Sequence, residues 1–548
     1  MREDTGATSR KGLWRPELGS ITVAILTALY LLAITNQSFW SKGWLYLEGR
    51  PTTFASIAIG ITCLYVAFCV AVSVKYLMKP VFIFLILSSA AGAWFMDQFG
   101  VVIDIEMIRN AAETNSAEAG NMITAGFVLH MFAFGVLPSL LLIWVKVRHR
   151  PFLWKLRGNL AVIVPMFVIA LVAGLSHARV YAAAVRAHHD WFEALNPFVP
   201  MVTAMQFAVG ESGDINIVAA PLGKDARVSD VPLSARKPRL MIVVAGETAR
   251  ADNFSLGGYE RDTNPELAKK DIFYFPQTTS CGTATAVSLP CMFSVYTRAE
   301  YSHRKGLATQ SLLGVLSNAG IHVEWWDNNT GDKGIARLLK VNSLIDNGNP
   351  AYCSGGECQD QVLIDALDGW IGSVNRDTVL VLHQIGSHGP AYYKRYQEAF
   401  RRFAPDCRSA DFSECSREEI VNAYDNTIAY TDHILAGVID RLASQQDRLD
   451  VSMLYMSDHG ESLGEFGLYL HGAPYMIAPP QQTHVPFVLW LGKDAKAAYS
   501  SDCLKDETQK PQSHDNLFHS VLGMMRVETK VRDPALDLIS ACRLGATS

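Results

Sequence analysis

The stretch Thr283 to Ser294, T-A-T-A-V-S-L-P-C-M-F-S, follows S-C-G and carries its hydroxyls between Cys281 and Cys291. Gly282 permits a turn there, and the small residues after it suit a helix start. A threonine oxygen at a helix N-terminus sits where the backbone dipole favours negative charge, a good place for an alkoxide attacking phosphorus. Without partners, the same stretch is a Thr/Ser-rich helix cap pinned by a disulfide. Partners exist elsewhere in the chain. R-L-M-I-V-V-A-G-E reads as a buried strand, Leu240 to Ala245, that ends in Gly246 and Glu247, and V-S-M-L-Y-M-S-D-H ends in Asp458 and His459. Carboxylate and imidazole ligands suit zinc, and a threonine oxygen, from Thr283 or Thr285, would complete a tetrahedron. Such a metal lowers the hydroxyl pKa and offsets charge developing on a phosphoryl group. Singly, Glu247 is a helix-capping acid and Asp458-His459 a polar turn. Together at strand ends they point to phosphoryl chemistry.

More histidines follow the same logic. His383 and His388, in H-Q-I-G-S-H-G-P, and His471, in Y-L-H-G-A-P, lie in Gly/Pro-rich loops. There they can bind phosphate oxygens, hold a second metal or protonate a leaving group. Asn329 and Lys333, in W-D-N-N-T-G-D-K-G, can anchor an anion; a plain surface loop is the other reading.

These residues need a scaffold that gathers strand ends. Further apolar strands are expected near 321, 377, 451 and 485, with helical stretches at 308–319, 360–372 and 417–443. Alternation of strands and helices predicts a mostly parallel α/β sheet covered on both faces, with chemistry at the carboxyl ends of its strands.

The first third is different. Apolar runs fall at about 20–36, 55–74, 80–98, 123–145 and 159–180, each near the ~20 residues of a membrane helix, the first being the shortest. The polar N-terminus with Arg2, Arg10, Lys11 and Arg15 precedes no small-residue cleavage site, so it reads as an uncleaved anchor. With Lys75, Lys79, Lys146, Arg148, Arg150, Lys155 and Arg157 it marks the cytoplasmic side. Five crossings leave everything after about 181 outside; in a Gram-negative cell this is the periplasm. Cysteine usage agrees: Cys281/Cys291, Cys353/Cys358 and Cys407/Cys415 fall in close pairs without metal-site spacing, as disulfides in an oxidising compartment would. Cys503 and Cys542 are left over and available to each other. Cys63 and Cys69 read as small core residues. A net charge of −5 gives no case for nucleic acid.

Between runs three and four, the outside loop 99–122 places Asn110, Thr114 and Glu118 on one stripe if it is helical. A carboxylate and an amide at the membrane surface would hold an ammonium head group; a solvated polar loop is the plain alternative. After 181, Y-A-A-A-V-R-A-H-H-D-W-F predicts an amphipathic helix near the bilayer surface, with His188 and His189 interfacial rather than ligands. N-P-F-V-P then turns the chain, and Gly210 to Pro238 reads as a polar linker. The expected domains are thus 1–181 transmembrane, 182–237 interfacial helix and linker, and 238–548 catalytic.

The order G-E-T-A-R-A-D-N-F-S-L-G-G-Y-E-R-D-T-N-P, S-C-G-T-A-T-A-V-S-L-P-C-M-F-S, H-Q-I-G-S-H-G-P and S-D-H-G-E-S-L-G-E resembles the lipid A phosphoethanolamine transferases, including the mobile colistin-resistance enzymes, of the alkaline-phosphatase-like superfamily. The likeness covers essentially the whole chain. It implies zinc, one ion firmly bound with room for a second, held by Glu247, Thr285, Asp458 and His459, with Thr285 as nucleophile. It implies that Asn329, Lys333, His388 and His471 hold the phosphoryl group or a second zinc, and that Asn110, Thr114 and Glu118 contact the donor. The three close cysteine pairs match the family's disulfides. The implied reaction is ping-pong transfer of phosphoethanolamine from phosphatidylethanolamine to a lipid A phosphate by an inner-membrane monomer. Related enzymes with a core-sugar or other glycan acceptor share the zinc site. A formylglycine sulfatase would want Cys or Ser at Thr285, and a non-catalytic sensor would be expected to lose a ligand.

Overall fold

The computed structural model describes residues 14–114, 116–188, 190–214, 217–229, 231–346 and 348–544. Arg2, Arg10, Lys11 and His189 of the sequence reading lie outside the described residues. The chain divides into two compact units, one of residues 1–97 and 125–201, the other of 98–124 and 202–548.

The first unit is helical. Pro51–Ala71, Met78–Phe99, Ala125–Trp144 and Phe152–Ser176 are long and apolar enough to cross a membrane; Ser20–Ile34 and Gln37–Tyr46 form a pair bent by 62°. Among the described residues this makes four candidate spans, or five if the bent pair is one. The break falls at Asn36, whose amide donates to the Asn196 carbonyl at 2.6 Å while its carbonyl oxygen accepts from Asn196 N at 2.9 Å. A side chain that takes up main-chain groups in this way interrupts the helix. Of the amphipathic helix predicted over 181–192, the structure forms Ala178–Ala187, with Asp190–Glu193 a separate short helix, and His188 between them stacks on Tyr46 with ring centroids 3.8 Å apart.

The second unit is built on an eight-stranded sheet: β1 Arg239–Gly246, β2 Ile272–Thr279, β3 His322–Asp327, β4 Val341–Ser343, β5 Thr378–His383, β6 Asp450–Ser457, β7 His484–Leu491 and β8 Gln512–Ser513, in the spatial order β8-β2-β7-β6-β1-β5-β3-β4. The sheet is mixed. β7 runs antiparallel to both β6 and β2, and the other neighbours pair in parallel. β1 is central and buried on both faces, as its unbroken apolar run requires. Register does the gathering: Ala245 of β1 lies opposite His383 of β5, Gly246 opposite Ser457 of β6, and His383 opposite Asp327 of β3. The residues that follow these strands are therefore delivered to one end of the sheet.

Five helices of this unit bear on the site: α1 Ile105–Glu113, α2 Ser116–Met122, α3 Thr285–Met292, α4 Gln361–Trp370 and α5 Arg417–Ser444. α5 begins at a capping box, with Glu419 N donating to Ser416 Oγ and Ser416 N to Glu419 Oε2. The single stripe expected for Asn110, Thr114 and Glu118 does not form. α1 stops at Glu113, and Thr114 is extended (φ −64°, ψ 134°). Thr114 is β-branched and Ser116 a backbone-bonding type, both of which favour such a break. The expected polar linker also departs from its reading: Phe198–Asp214 is one helix, and Arg227–Val228 pairs with Val527–Glu528. Four disulfides join Cys281–Cys291, Cys353–Cys358, Cys407–Cys415 and Cys503–Cys542, while Cys63 and Cys69 are buried free thiols.

Candidate active site

Thr285 is the first residue of α3, and its Oγ1 lies 3.1 Å from each oxygen of Glu247 and 3.2 Å from His459 Nε2. Thr283 faces elsewhere, donating to the Ala473 carbonyl at 2.7 Å. Of the two threonines the sequence leaves open, Thr285 therefore meets the acids. Ser288, one turn on, donates to the Asp458 carbonyl at 2.5 Å and accepts from Gly282 N, fastening α3 to the end of β6.

Glu247, Asp458 and His459 each offer a ligand atom within 4.8 Å of the others, and all three are buried. His459 Nε2 stands 3.4 Å from both Glu247 Oε1 and Asp458 Oδ2. Asp458 Oδ1 accepts from Thr248 N at 3.1 Å and His459 N at 2.7 Å, whereas Oδ2 is buried and, among the described residues, has no hydrogen-bond donor. A buried carboxylate oxygen without a donor is unfavourable unless a cation meets it. Burial and the Glu247 charge push the Asp458 carboxyl up. Burial resists a charge on His459, yet Asp458 and Glu247 raise its pKa. Such a field calls for positive charge, and the donor set (two carboxylates, an imidazole, a hydroxyl) fits zinc.

Around this cluster the structure sorts the remaining candidates. Asn329 Nδ2 donates to Glu247 Oε2 at 2.8 Å and to the Gln384 carbonyl at 2.9 Å, and its own Oδ1 is buried without a donor among the described residues. His383 is engaged on both sides, with Nδ1 2.7 Å from Asp327 Oδ1 and Nε2 3.3 Å from Asn329. It props Asn329 and is not placed as a ligand. His388 Nε2 lies 3.2 Å from Glu118 Oε1, and its buried Nδ1 has no partner among the described residues. Burial opposes its charge, but Glu118 and Glu247 push its pKa up to about 9. Glu118 is held low in turn: burial raises it, and the charge and hydrogen bond of His388 more than offset that. The His471 ring is 4.3 Å from the ring of His459 and 5.8 Å from that of His388; its Nδ1 is 2.8 Å from Glu461. Lys333 pairs with Glu113 at 3.2 Å. Thr114 donates to the Asn110 carbonyl at 2.8 Å, so of the loop trio Glu118 is the residue joined to the histidines.

Several supports escape a sequence reading. Asp360, at the start of α4, is buried and accepts from Asn328 Nδ2 (2.8 Å), Ile385 N (2.9 Å) and Gly386 N (3.0 Å). It ties the Asn329 loop to the His383–His388 loop. Gly386 has φ +51° and passes so close to Glu247 that a Cβ would fall 2.5 Å from the Glu247 carbonyl. Asp327 and Glu461 orient histidines. Both sit inside quoted motifs, W-D-N-N and S-D-H-G-E, and that proximity is their one sequence signal.

A mixed α/β sheet, a threonine at a helix start and an acid-histidine cluster at the strand ends define an alkaline-phosphatase-like phosphoryl- or sulfuryl-transfer domain. Comparison with known proteins agrees. The sulfatase family matches residues 239–527, and the family described as phosphoethanolamine transferase EptA/EptB matches residues 61–211. Phosphoethanolamine transferase EptA of Salmonella typhimurium is 38% identical over 97% of this chain and 99% of its own. Phosphatidylethanolamine transferase Mcr-1 of Escherichia coli is 36% identical over 95% and 97%. The solved integral membrane lipooligosaccharide phosphoethanolamine transferase A of Neisseria meningitidis superposes with a TM-score of 0.91 at 34% identity, covering 96% of this chain and all of that one. The chain belongs to the phosphoethanolamine transferase family. It is an EptA-like integral membrane protein with N-terminal helices and a periplasmic C-terminal domain.

Proposed function

We propose that this chain transfers phosphoethanolamine from phosphatidylethanolamine to a phosphate of lipid A through a phosphothreonine at Thr285. The observation that carries the reading is the Thr285 hydroxyl at the start of α3, in contact with Glu247 and His459. Glu247, Asp458, His459 and Thr285 would hold zinc. When bound, the ion supplies positive charge that lowers the hydroxyl pKa and offsets charge on the phosphoryl oxygens.

Thr285 Oγ1 is directed at the Glu247 carboxylate, so it can part with its proton as the oxygen attacks phosphorus. The bond from phosphorus to the diacylglycerol oxygen breaks. His388, kept protonated by Glu118, presents Nδ1 to give the leaving oxygen its proton. Asn329, Lys333 and His471 steady the phosphoryl oxygens, and Asn110, Thr114 and Glu118 receive the ethanolamine head. In the second half, a lipid A phosphate oxygen attacks the phosphothreonine and Thr285 recovers its proton. Residues 1–181, with the bent pair as the first of five spans, keep the domain 238–548 beside both lipids, so each meets the site at high effective concentration. Capping an anionic phosphate with an ammonium-bearing group lowers negative surface charge and weakens polymyxin binding.

Mass spectrometry of lipid A from cells with and without the chain tests this. Addition of one phosphoethanolamine supports it. An unchanged lipid A with a modified core sugar favours the glycan-acceptor reading, for which the relative named Kdo(2)-lipid A phosphoethanolamine 7''-transferase is the precedent at 27% identity.

A further inference from the structure

Thr248 is no member of the proposed ligand set, yet it touches both carboxylates of the cluster. Its N–H donates to Asp458 Oδ1 at 3.1 Å and its hydroxyl donates to Glu247 Oε1 at 2.5 Å. It does so from a backbone that threonine avoids. Its φ is +57°, in the left-handed region, where a β-branched side chain is an outlier and Gly or Asn is the easy choice. Thr248 is fully buried, so no solvent contact explains the residue type. Strain of this kind persists when the surroundings over-determine it, and the surroundings here are specific. The Thr248 carbonyl accepts from Tyr424 Oη of α5 at 2.7 Å, and that tyrosine hydroxyl accepts from Arg250 N at 3.0 Å. Ser457 Oγ accepts from Ala249 N at 2.8 Å and donates to the His459 carbonyl at 3.0 Å. The turn after β1 is thereby clamped to α5 on one side and to the end of β6 on the other.

We propose that Thr248 is a positioning residue for the metal cluster. Its main chain occupies Asp458 Oδ1, which leaves Oδ2 for a cation, and its hydroxyl fixes the Glu247 carboxylate. Tyr424 holds it in the left-handed conformation that lets one residue reach both acids. This rests on the metal reading above and adds a residue to it. Groups that orient metal ligands change affinity by about 10–100-fold when removed.

The test uses the full chain in detergent, with zinc affinity read by competition against a chromophoric chelator and the metal-free thermal midpoint measured beside it. Thr248→Val keeps shape and strain but lacks the hydroxyl; Thr248→Gly relieves the backbone and also lacks it; Thr248→Ser keeps it. Val and Gly are expected to bind zinc about 10–100-fold more weakly, with Ser within about threefold of the parent. Thr248→Gly should do so with a metal-free midpoint unchanged or raised, a pairing that a purely structural role does not give. Tyr424→Phe should weaken zinc binding in the same direction. If the parent binds zinc and Val and Gly bind it equally well, or Ser is as weak as Val, the proposal is overturned. A parent that takes up no zinc overturns the metal reading itself.

Discussion

Asp360 offers a prediction whose size follows from counted contacts. Its Oδ1 serves Asn328 Nδ2 and Ile385 N, and its Oδ2 serves Gly386 N. In Asp360→Ala all three buried donors lose their acceptor. Each such loss costs about 1–3 kcal/mol, and a water admitted to the vacated space offsets part. A net loss of about 3–5 kcal/mol is expected, at the upper end for single substitutions. Asp360→Asn is different. Its oxygen can keep the two bonds of Oδ1, while the bond from Gly386 is lost and the amide N–H groups that replace Oδ2 face that donor. The side chain also no longer carries a charge that burial disfavours, seen in a carboxyl raised above its usual range. About 0–2 kcal/mol is expected. Function should follow the same order, because Ser387 N donates to the Glu247 carbonyl at 3.0 Å and Asn329 donates to the Gln384 carbonyl. A shifted 384–388 loop moves both groups, and misplacement near 1 Å costs about 100-fold in rate. Urea unfolding followed by near-ultraviolet circular dichroism, and turnover of a fluorescent donor lipid, measure the two effects. Ala within 1 kcal/mol of the parent (about the net value of one ordinary hydrogen bond) and turning over normally would refute the reasoning. So would Asn as damaging as Ala.

Thr285→Ala should abolish transfer while zinc remains partly bound, and intact-protein mass spectrometry with donor alone should find a phosphoethanolamine adduct on the parent but none on this variant. Burial pushes the Asp432 carboxyl up to about 7, although Glu266 N and Leu267 N donate to it. The folded state thus holds a proton that the unfolded chain has released, so the contribution of this carboxyl to stability is fully present below about pH 4 and is lost toward about pH 7, by at most about 4 kcal/mol. Asp432→Ala should flatten that decline in denaturation measured across the window. Glu118→Gln removes the partner that raises His388, whose stabilising charge is present below its unfolded pKa and lost as pH rises through about 9. The alkaline limb of the pH–rate profile should move acidward by about one unit or more. Breaking Cys503–Cys542 by Cys542→Ser reopens a 39-residue separation, and the thermal midpoint should fall by the equivalent of about 2–4 kcal/mol.

The sheet centre was legible because β1, β5 and β6 are buried on both faces and read as continuous apolar runs. β2 was not. Its sequence, I-F-Y-F-P-Q-T-T, carries Pro276 where its pairing with β7 shifts register, and proline argues against a strand unless a bulge accommodates it. The acids and histidines at strand ends were legible from their place after those runs. The choice between Thr283 and Thr285 was not, since it depends on which hydroxyl meets Ala473 and which meets Glu247. Asp360 and Thr248 look like ordinary polar residues in sequence. Their partners lie 25 and 210 positions away, and only tertiary structure brings them within reach. The 99–122 loop misled in another way. Helical spacing put three residues on one stripe, but a break at Thr114 leaves Glu118 alone beside His388.

Residues 98–124 belong to the C-terminal unit although they are encoded between two membrane spans. A fragment beginning after residue 201 would keep Glu247, Thr285, Asp458 and His459 but lose this segment, leaving His388 without Glu118 and Lys333 without Glu113. Inhibitors selected against such a fragment would be fitted to a site missing one wall, and their rank order need not survive transfer to the intact enzyme.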